Sequence, residues 1–274
     1  MHNPDPAHQK LGVKIIHLVR NPFSMAVSNY HYHSQYPTPE PFVHWTNPCH
    51  SLTEKHIGPH GEDVAVDLVT PVLTHPMMRI PINGELPTSQ PIMSHDDFDN
   101  IGNDCNSLYQ TKLGLTNATY YEHLRTLDPN EGLRMATTDK FYNIALMASD
   151  LLMLSRVQQL EQERNAKRPW RHQELSLITM PMEDWIEQPG KSMYKFLEFV
   201  FHDHMPDYVK NTLSKKYRKA FSKKSQVSNH ITTGMSADTA HLIEYLRGNT
   251  VFGGPLARIE ALLEEVLRLE RIGQ

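Results

Sequence analysis

The sequence predicts an α/β fold in which helices flank a parallel sheet, and three observations carry that prediction. Lys14–Val19 (KIIHLV) and Leu175–Met180 (LSLITM) are short, continuous apolar runs with β-branched residues, as strands buried on both faces require. Each is followed by segments whose apolar residues recur at helical spacing. Strands that alternate with helices in this way assemble most simply into a parallel sheet. With 274 residues, 39% hydrophobic and 21% charged, the chain has the size and composition of one large globular domain, read here as residues 1–274. No window approaches the roughly 18 to 20 apolar residues of a membrane helix, and Met1–Gly12 lacks the charged and apolar regions of a signal peptide.

Arg20 ends the first strand, and Asn21-Pro22 supplies an N-cap residue with proline at the first helical position. Phe23, Ala26, Val27 and Tyr30 fall at i, i+3, i+4 and i+7, the buried face of a helix reaching about His33 or Ser34; Ser24, Ser28 and His31 lie on another face. Residues 35–117 are rich in Pro, His, Asn and Gly, and are expected to form an irregular insertion that covers a substrate. Helical patterning returns over Thr119–Leu127 and from Asp139 to about Gln162, where Ile144, Met147, Leu151, Leu154 and Val157 are expected in the core. The second strand leads into a polar turn, Glu183-Asp184, then Trp185 and a helix opening at Pro189-Gly190 with Met193, Phe196, Leu197 and Val200 inward. A basic helix from Pro206 to about Phe221 and a loop over Ser222–Gly234 follow. Ser236 caps a helix that stops at Gly248, and Leu256–Leu269 is a last amphipathic helix with Leu256, Ile259, Leu263, Val266 and Leu267 inward.

The formal net charge of -4 is unevenly spread. Thirty residues between Asp207 and Asp238 hold no carboxylate and seven cations, Lys210, Lys215, Lys216, Arg218, Lys219, Lys223 and Lys224, which leaves -11 on the rest. Such a stretch is either a solvated helix face or an anion-binding surface. Cys49 and Cys105 are too few for a disulfide framework or a four-cysteine zinc site; they form one bridge or remain two thiols. The pairs His31/His33 and His202/His204 come without an HExxH or cysteine pair, so no metal ligands are assigned.

In open parallel sheets ligands bind beyond the carboxyl ends of the strands, where helix N-termini expose N–H groups. That rule brings together Arg20, a planar fork suited to phosphate, and Ser28, a hydroxyl about two turns into the helix. His31, on the Ser28 side, is the first residue to consider as a general base toward an acceptor hydroxyl.

The segment KIIHLVRNPFSMAVSNYHYH resembles the second cofactor motif of sulfotransferases: an apolar strand, Arg-Asp-Pro or Arg-Asn-Pro, and a helix with serine eight residues after the arginine. LSLITMPMEDWIEQPGKSMYKFLEFVF is similar to the late segment of the same family. There Glu183-Asp184-Trp185 and Gln188-Pro189 stand for a Tyr-Glu-Asp-like turn and an Asn-Pro-like pair, while Pro181 and Met182 replace a frequent Arg-Tyr. The resemblance implies a three-layer, P-loop-NTPase-like sheet. It also implies transfer of a sulfuryl group from 3′-phosphoadenosine-5′-phosphosulfate, the co-substrate, to a hydroxyl or amine of a carbohydrate or other acceptor. It gives Arg20 and Ser28 the nucleotide's 3′-phosphate, joined by Lys223 and Lys224 from the late basic loop, which also holds His230, Thr232 and Thr233; it assigns no catalytic residue.

The family's first motif, a phosphate loop after an opening strand, has no counterpart in the thirteen residues before Lys14. Two expectations follow, an N-terminally incomplete domain, which is preferred, or a complete one that has lost the chemistry, and the activity of the chain as given is left open by both. Likeness to the Golgi carbohydrate enzymes places it in the Golgi lumen if an anchor is missing from its N-terminus, and otherwise in the cytoplasm. The rival reading is a nonenzymatic module gripping nucleic acid or sulfated glycan through Lys210–Lys224. Only Tyr217 and Phe221 interleave with those lysines, which gives single strands little to stack on, and nucleic acid is not an expected partner of the sulfotransferase.

Overall fold

The computed structural model describes residues 13–35, 56–57, 63–64, 73, 92–108, 118–167, 175–224 and 237–272. The β-branched and apolar residues of VKIIHLV make Val13–Val19 the strand β1, but the expectation of a buried strand is corrected, since only Val19 is buried and Val13 and Leu18 are exposed. Helix α1, Pro22–Gln35, begins where Asn21 caps it. Asn21 Oδ1 accepts the Ser24 N–H at 3.0 Å, and its carbonyl accepts the first helical bond from Met25 at 2.9 Å. Phe23, Ala26, Val27 and Tyr30 are all buried, as their spacing predicts.

The expectation of an irregular insertion is corrected within residues 35–117. His56–Ile57 (β2) and Asp63–Val64 (β3) pair antiparallel, and His95–Leu108 forms a helix, α2. Ser94 starts α2 with a capping box: its N–H donates to Asp97 Oδ2 at 2.7 Å while the Asp97 N–H donates to Ser94 Oγ at 3.2 Å. Ile101, Cys105 and Leu108 are buried, and Phe98 meets Phe141 edge-on at 5.9 Å. Asp104 pairs with Arg134, and Arg258 reaches the Ile92 carbonyl at 2.6 Å and Asp97 at 2.7 Å. Cys105 is disulfide-bonded, and Cys49, the only other cysteine of the sequence, lies outside the described residues. Core burial and the ion pairs to Arg134 and Arg258 hold α2 in place.

Tyr120–Thr126 (α3) opens on a second capping box, Thr119 with Glu122. Pro129–Lys167 is a single helix, α4, of 39 residues. It begins well before Asp139 because Pro129 suits the first helical position and Leu133, Met135 and Ala136 extend its buried stripe upstream. Gly132 lets Tyr30 of α1 lie close, since a Cβ there would stand 2.8 Å from the tyrosine ring. Ile144 and Leu151 are core residues, whereas Val157, expected beside them, is 45% exposed. Met153 and Leu160 are exposed too, so the apolar stripe of α4 outruns the elements that cover it.

Leu175–Pro181 is β4, parallel to β1 in a register that runs from Val13 opposite Leu175 to Val19 opposite Pro181. The expected polar turn after it is a short helix, α5, Met182–Glu187. In α6, Pro189–Phe201, Leu197 is buried while Met193, Phe196 and Val200 are half-buried. Lys14 Nζ donates to the Phe199 and Val200 carbonyls at 2.7 and 3.1 Å, so β1 supplies the cation that caps the end of α6. The basic helix α7 spans Asp207–Lys224 and thus includes Ser222, Lys223 and Lys224, expected in a loop. Residues 225–236, with His230, Thr232, Thr233, Gly234 and the expected cap Ser236, lie outside the described residues. Ala237–Gly248 (α8) and Gly253–Ile272 (α9) follow; Leu256, Ile259, Leu263 and Val266 are buried and Leu267 is half-buried.

Helix α1 packs against α3, α4, α8 and α9, and α4 and α9 also touch β4. The core is therefore largely helix on helix. Each of its fully buried large side chains, Phe23, Phe141 and Phe252 among them, contributes on the order of 1.5 to 3 kcal/mol. The described protein is mostly helical around a parallel sheet of two strands, so the expected parallel pairing is present and the helical share is larger than the sequence predicts. Among the described residues, no helix is long and apolar enough to cross a membrane.

Candidate functional site

The turn between β1 and α1 is held from several sides. The Asn21 N–H donates to Glu183 Oε1 at 3.0 Å, from α5, and the Asn21 side-chain amide donates to Glu260 of α9. Glu260 is itself gripped by both nitrogens of the Arg247 fork, at 2.8 and 2.7 Å, and that guanidinium lies 4.2 Å over the Phe23 ring. The Arg20 N–H points at Met147 Sδ, 3.3 Å away on α4. Arg20 is thus presented from a turn whose neighbours are tied to α4, α5 and α9.

Arg20 and Ser28 line one cleft of about 440 Å³, a volume suited to a small molecule. The cleft runs along the side of α1, where Met25, Ser28, Asn29 and Tyr32 share a face at i, i+3, i+4 and i+7. Lys140 and Met147, two turns apart, form the α4 wall, and Leu18, Val19 and Met182 complete the lining. This differs from the anion site expected at the bare N-terminus of α1. There the Asn21 side chain already serves the Ser24 N–H, and Glu183 already takes the Asn21 N–H. The polar groups aimed at a ligand come instead from side chains along the groove between α1 and α4.

Burial lowers the Arg20 pKa and the nearby Glu183 carboxylate raises it again; guanidinium remains cationic in either case. Behind the cleft wall, Asp139 accepts a hydrogen bond from Asn29, whose amide also donates to the Ala136 carbonyl at 3.1 Å. Burial pushes the Asp139 carboxyl up to about 6, against the pull of that hydrogen bond and of Lys140. His31 is absent from the lining. Its Nε2 is buried without a hydrogen-bond partner, and its pKa is lowered by burial and raised by Asp238 of α8.

Arg20 and Ser28 thus line one cleft. Lys223 and Lys224 close α7, and the loop expected to carry them to the phosphate lies outside the described residues. Glu183 and Trp185 acquire definite roles: the first holds the Asn21 N–H, and the second packs against Phe196 at 6.2 Å and Tyr217 at 5.7 Å, joining α5 to α6 and α7. Sequence reading missed Asn29 and Tyr32, although helical spacing from Met25 and Ser28 would have found them. It also missed Lys140, whose only signal is its place one heptad before Met147. Among the described residues, no group of three or more His, Cys, Asp or Glu side chains could hold a metal ion. Comparison with protein-family models, with curated proteins and with solved structures finds no match to this chain.

Proposed function

We propose that the protein is a sulfotransferase-type domain whose cleft between α1 and α4 holds the 3′-phosphate of 3′-phosphoadenosine-5′-phosphosulfate. The observation that carries the reading is that Arg20 and Ser28, eight residues apart, line the same cleft at the carboxyl end of β1. A second support is that the two segments resembling the family contribute the two strands that pair in parallel register. On this reading the pair belongs to the wider three-layer, P-loop-NTPase-like sheet of the family. The disulfide at Cys105 suits an oxidising compartment, in keeping with a place in the Golgi lumen.

In the reaction, an acceptor oxygen or nitrogen attacks sulfur in line, the bond from sulfur to the bridging phosphate oxygen breaks, and the acceptor's proton passes to a base. The nucleotide leaves as adenosine 3′,5′-bisphosphate. Arg20 and Ser28 contribute positioning: a charged fork and a hydroxyl that fix the nucleotide so that attack is effectively intramolecular. Calorimetric titration with adenosine 3′,5′-bisphosphate tests this. Arg20→Ala is expected to weaken binding by roughly 1 to 3 kcal/mol; equal affinity in the two proteins would sink the assignment.

One observation favours a second reading, a polyanion-binding face on α7. Lys215, Lys216 and Lys219 are exposed on a helix whose only acidic residue is Asp207. Lys210 is not part of that face, being 3% exposed and paired with Glu198 and Asp207. Filter binding of a sulfated glycan at two salt concentrations separates the readings, because affinity carried by α7 falls steeply with salt and ignores Arg20.

A further inference from the structure

We propose that the exposed apolar stripe near the end of α4 is a self-association surface, on which a second copy of this chain lays the same stripe in the antiparallel direction. The proposal is independent of the nucleotide reading, because the stripe and the cleft lie on different faces of α4. Lys140 and Met147, which line the cleft, stand roughly 120 to 140° around the helix from Met153.

Along α4, Leu151 and Leu152 are buried, whereas Met153, Val157 and Leu160 are 40, 45 and 46% exposed. Their spacing of four and then three residues is that of a helix–helix seam. Asp150, half-buried near His17, opens the seam three residues earlier, and the exposed Arg164 and Lys167 continue it at four and three. Arg156 and Glu163, one heptad apart and both exposed, share one flank of it. Single exposed apolar side chains need no explanation, but three aligned on one face mark a place where another surface is to be covered.

Charge decides both the occupant and its direction. When the second copy runs antiparallel with its Leu160 facing Val157, Met153 falls opposite Arg164, whose alkyl stem can lie on the thioether, and Asp150 falls opposite Lys167. On the flank, Arg156 comes within reach of Glu163, and two-fold symmetry makes each of these pairings twice. A parallel pair instead sets Asp150 on Asp150, Arg164 on Arg164 and Lys167 on Lys167 along the seam, where like charges repel. The mixed signs also suit no uniformly charged partner, such as a nucleic acid or an anionic bilayer. Within one copy Arg156 holds Gln159 at 2.7 Å and Arg164 holds Glu161 at 3.4 Å, contacts between solvated side chains that cost little to exchange. With three apolar side chains per copy, the interface is small and the dimer weak.

Analytical ultracentrifugation of the full chain at rising concentration tests the proposal. Wild type is expected to pass from monomer to dimer between roughly 1 μM and 1 mM, as a small interface does. Leu160→Glu is expected to weaken the dimer at least 30-fold or so, roughly the loss of one central anchor, while its thermal melt by circular dichroism stays that of wild type, since the side chain is exposed in the monomer. Arg156→Glu is expected to weaken it about fivefold, and Arg156→Glu with Glu163→Arg to restore it to within about twofold. Should Leu160→Glu fail to fold, this charge swap decides by itself. Cross-linking reads the direction: under mild oxidation a mixture of Val157→Cys and Leu160→Cys proteins should give more cross-linked dimer than either variant alone. Wild type that stays monomeric throughout, as it would if the stripe served an unlike partner, overturns the proposal. So does a dimer indifferent to Leu160→Glu, a charge swap that restores nothing, or cross-linking that is strongest in Val157→Cys alone.

Discussion

Asp139→Asn tests the account of the cleft wall through stability rather than ligand binding. The Asp139 carboxyl titrates at about 6 in the folded protein against 3.8 ordinarily, with burial as the main cause. The folded state therefore binds more protons than the unfolded chain between those two values. Stability contributed by the group falls as pH rises through that window and stays low above it. Relative to a group that stays protonated, Asp139 lowers stability by about 2 kcal/mol at pH 5 and by about 3 kcal/mol at pH 8. An amide has no such cost, though it reproduces the Asn29 contact imperfectly, at about 1 kcal/mol independent of pH. Urea melts followed by tryptophan fluorescence should show Asp139→Asn gaining on wild type by roughly 1 kcal/mol between pH 5 and pH 8. A stability difference that is flat across this range, or that shrinks toward pH 8, refutes the claim that Asp139 is a carboxylate buried behind the cleft.

Three further outcomes are expected. In the Asp139→Asn background, His17, His31 and His123, whose pKa values burial lowers, should dominate the acid side: stability is full above about pH 6.5 and falls below it, and the same melts overturn this if stability rises on acidification. Cys105→Ser should cost up to roughly 4 kcal/mol, the chain-entropy value for a loop of about 57 residues closed with Cys49, and wild type should lose a similar amount in reductant; thermal melts insensitive to both contradict the role given to the link. His202, at the end of α6, has φ 39°, a conformation that favours glycine, so His202→Gly should stabilise by about 1 kcal/mol in urea, and a loss of stability would show that its side chain matters more than its backbone.

The legible parts of the molecule were those whose physics is local. A short apolar strand, an Asn-Pro helix start and an i, i+3, i+4, i+7 face are set by neighbours in sequence, and the extent of β1, the Asn21 cap and the buried face of α1 appear as read, although β1 buries only Val19 where a buried strand is expected. The capping box at Ser94 was equally local, but the polar composition of residues 95–108 hid it, because the long-range partners Arg134 and Arg258 carry much of the docking. Val157 failed in the other direction: its spacing is that of a core residue, yet burial depends on whether another element arrives to cover it. The site divides along the same line. Arg20 and Ser28 belong to one contiguous motif, whereas Lys140 joins them only because α1 packs on α4, and its neighbour Asp139 acquires its altered pKa from the same packing.

The central claim is that Arg20 and Ser28 form a nucleotide 3′-phosphate site, and a crystal structure with adenosine 3′,5′-bisphosphate tests it most directly. The account expects the 3′-phosphate in the groove between α1 and α4, within hydrogen-bond distance of the Arg20 guanidinium and the Ser28 hydroxyl. A nucleotide bound elsewhere, or bound in the groove with its 3′-phosphate turned away from both residues, would contradict it.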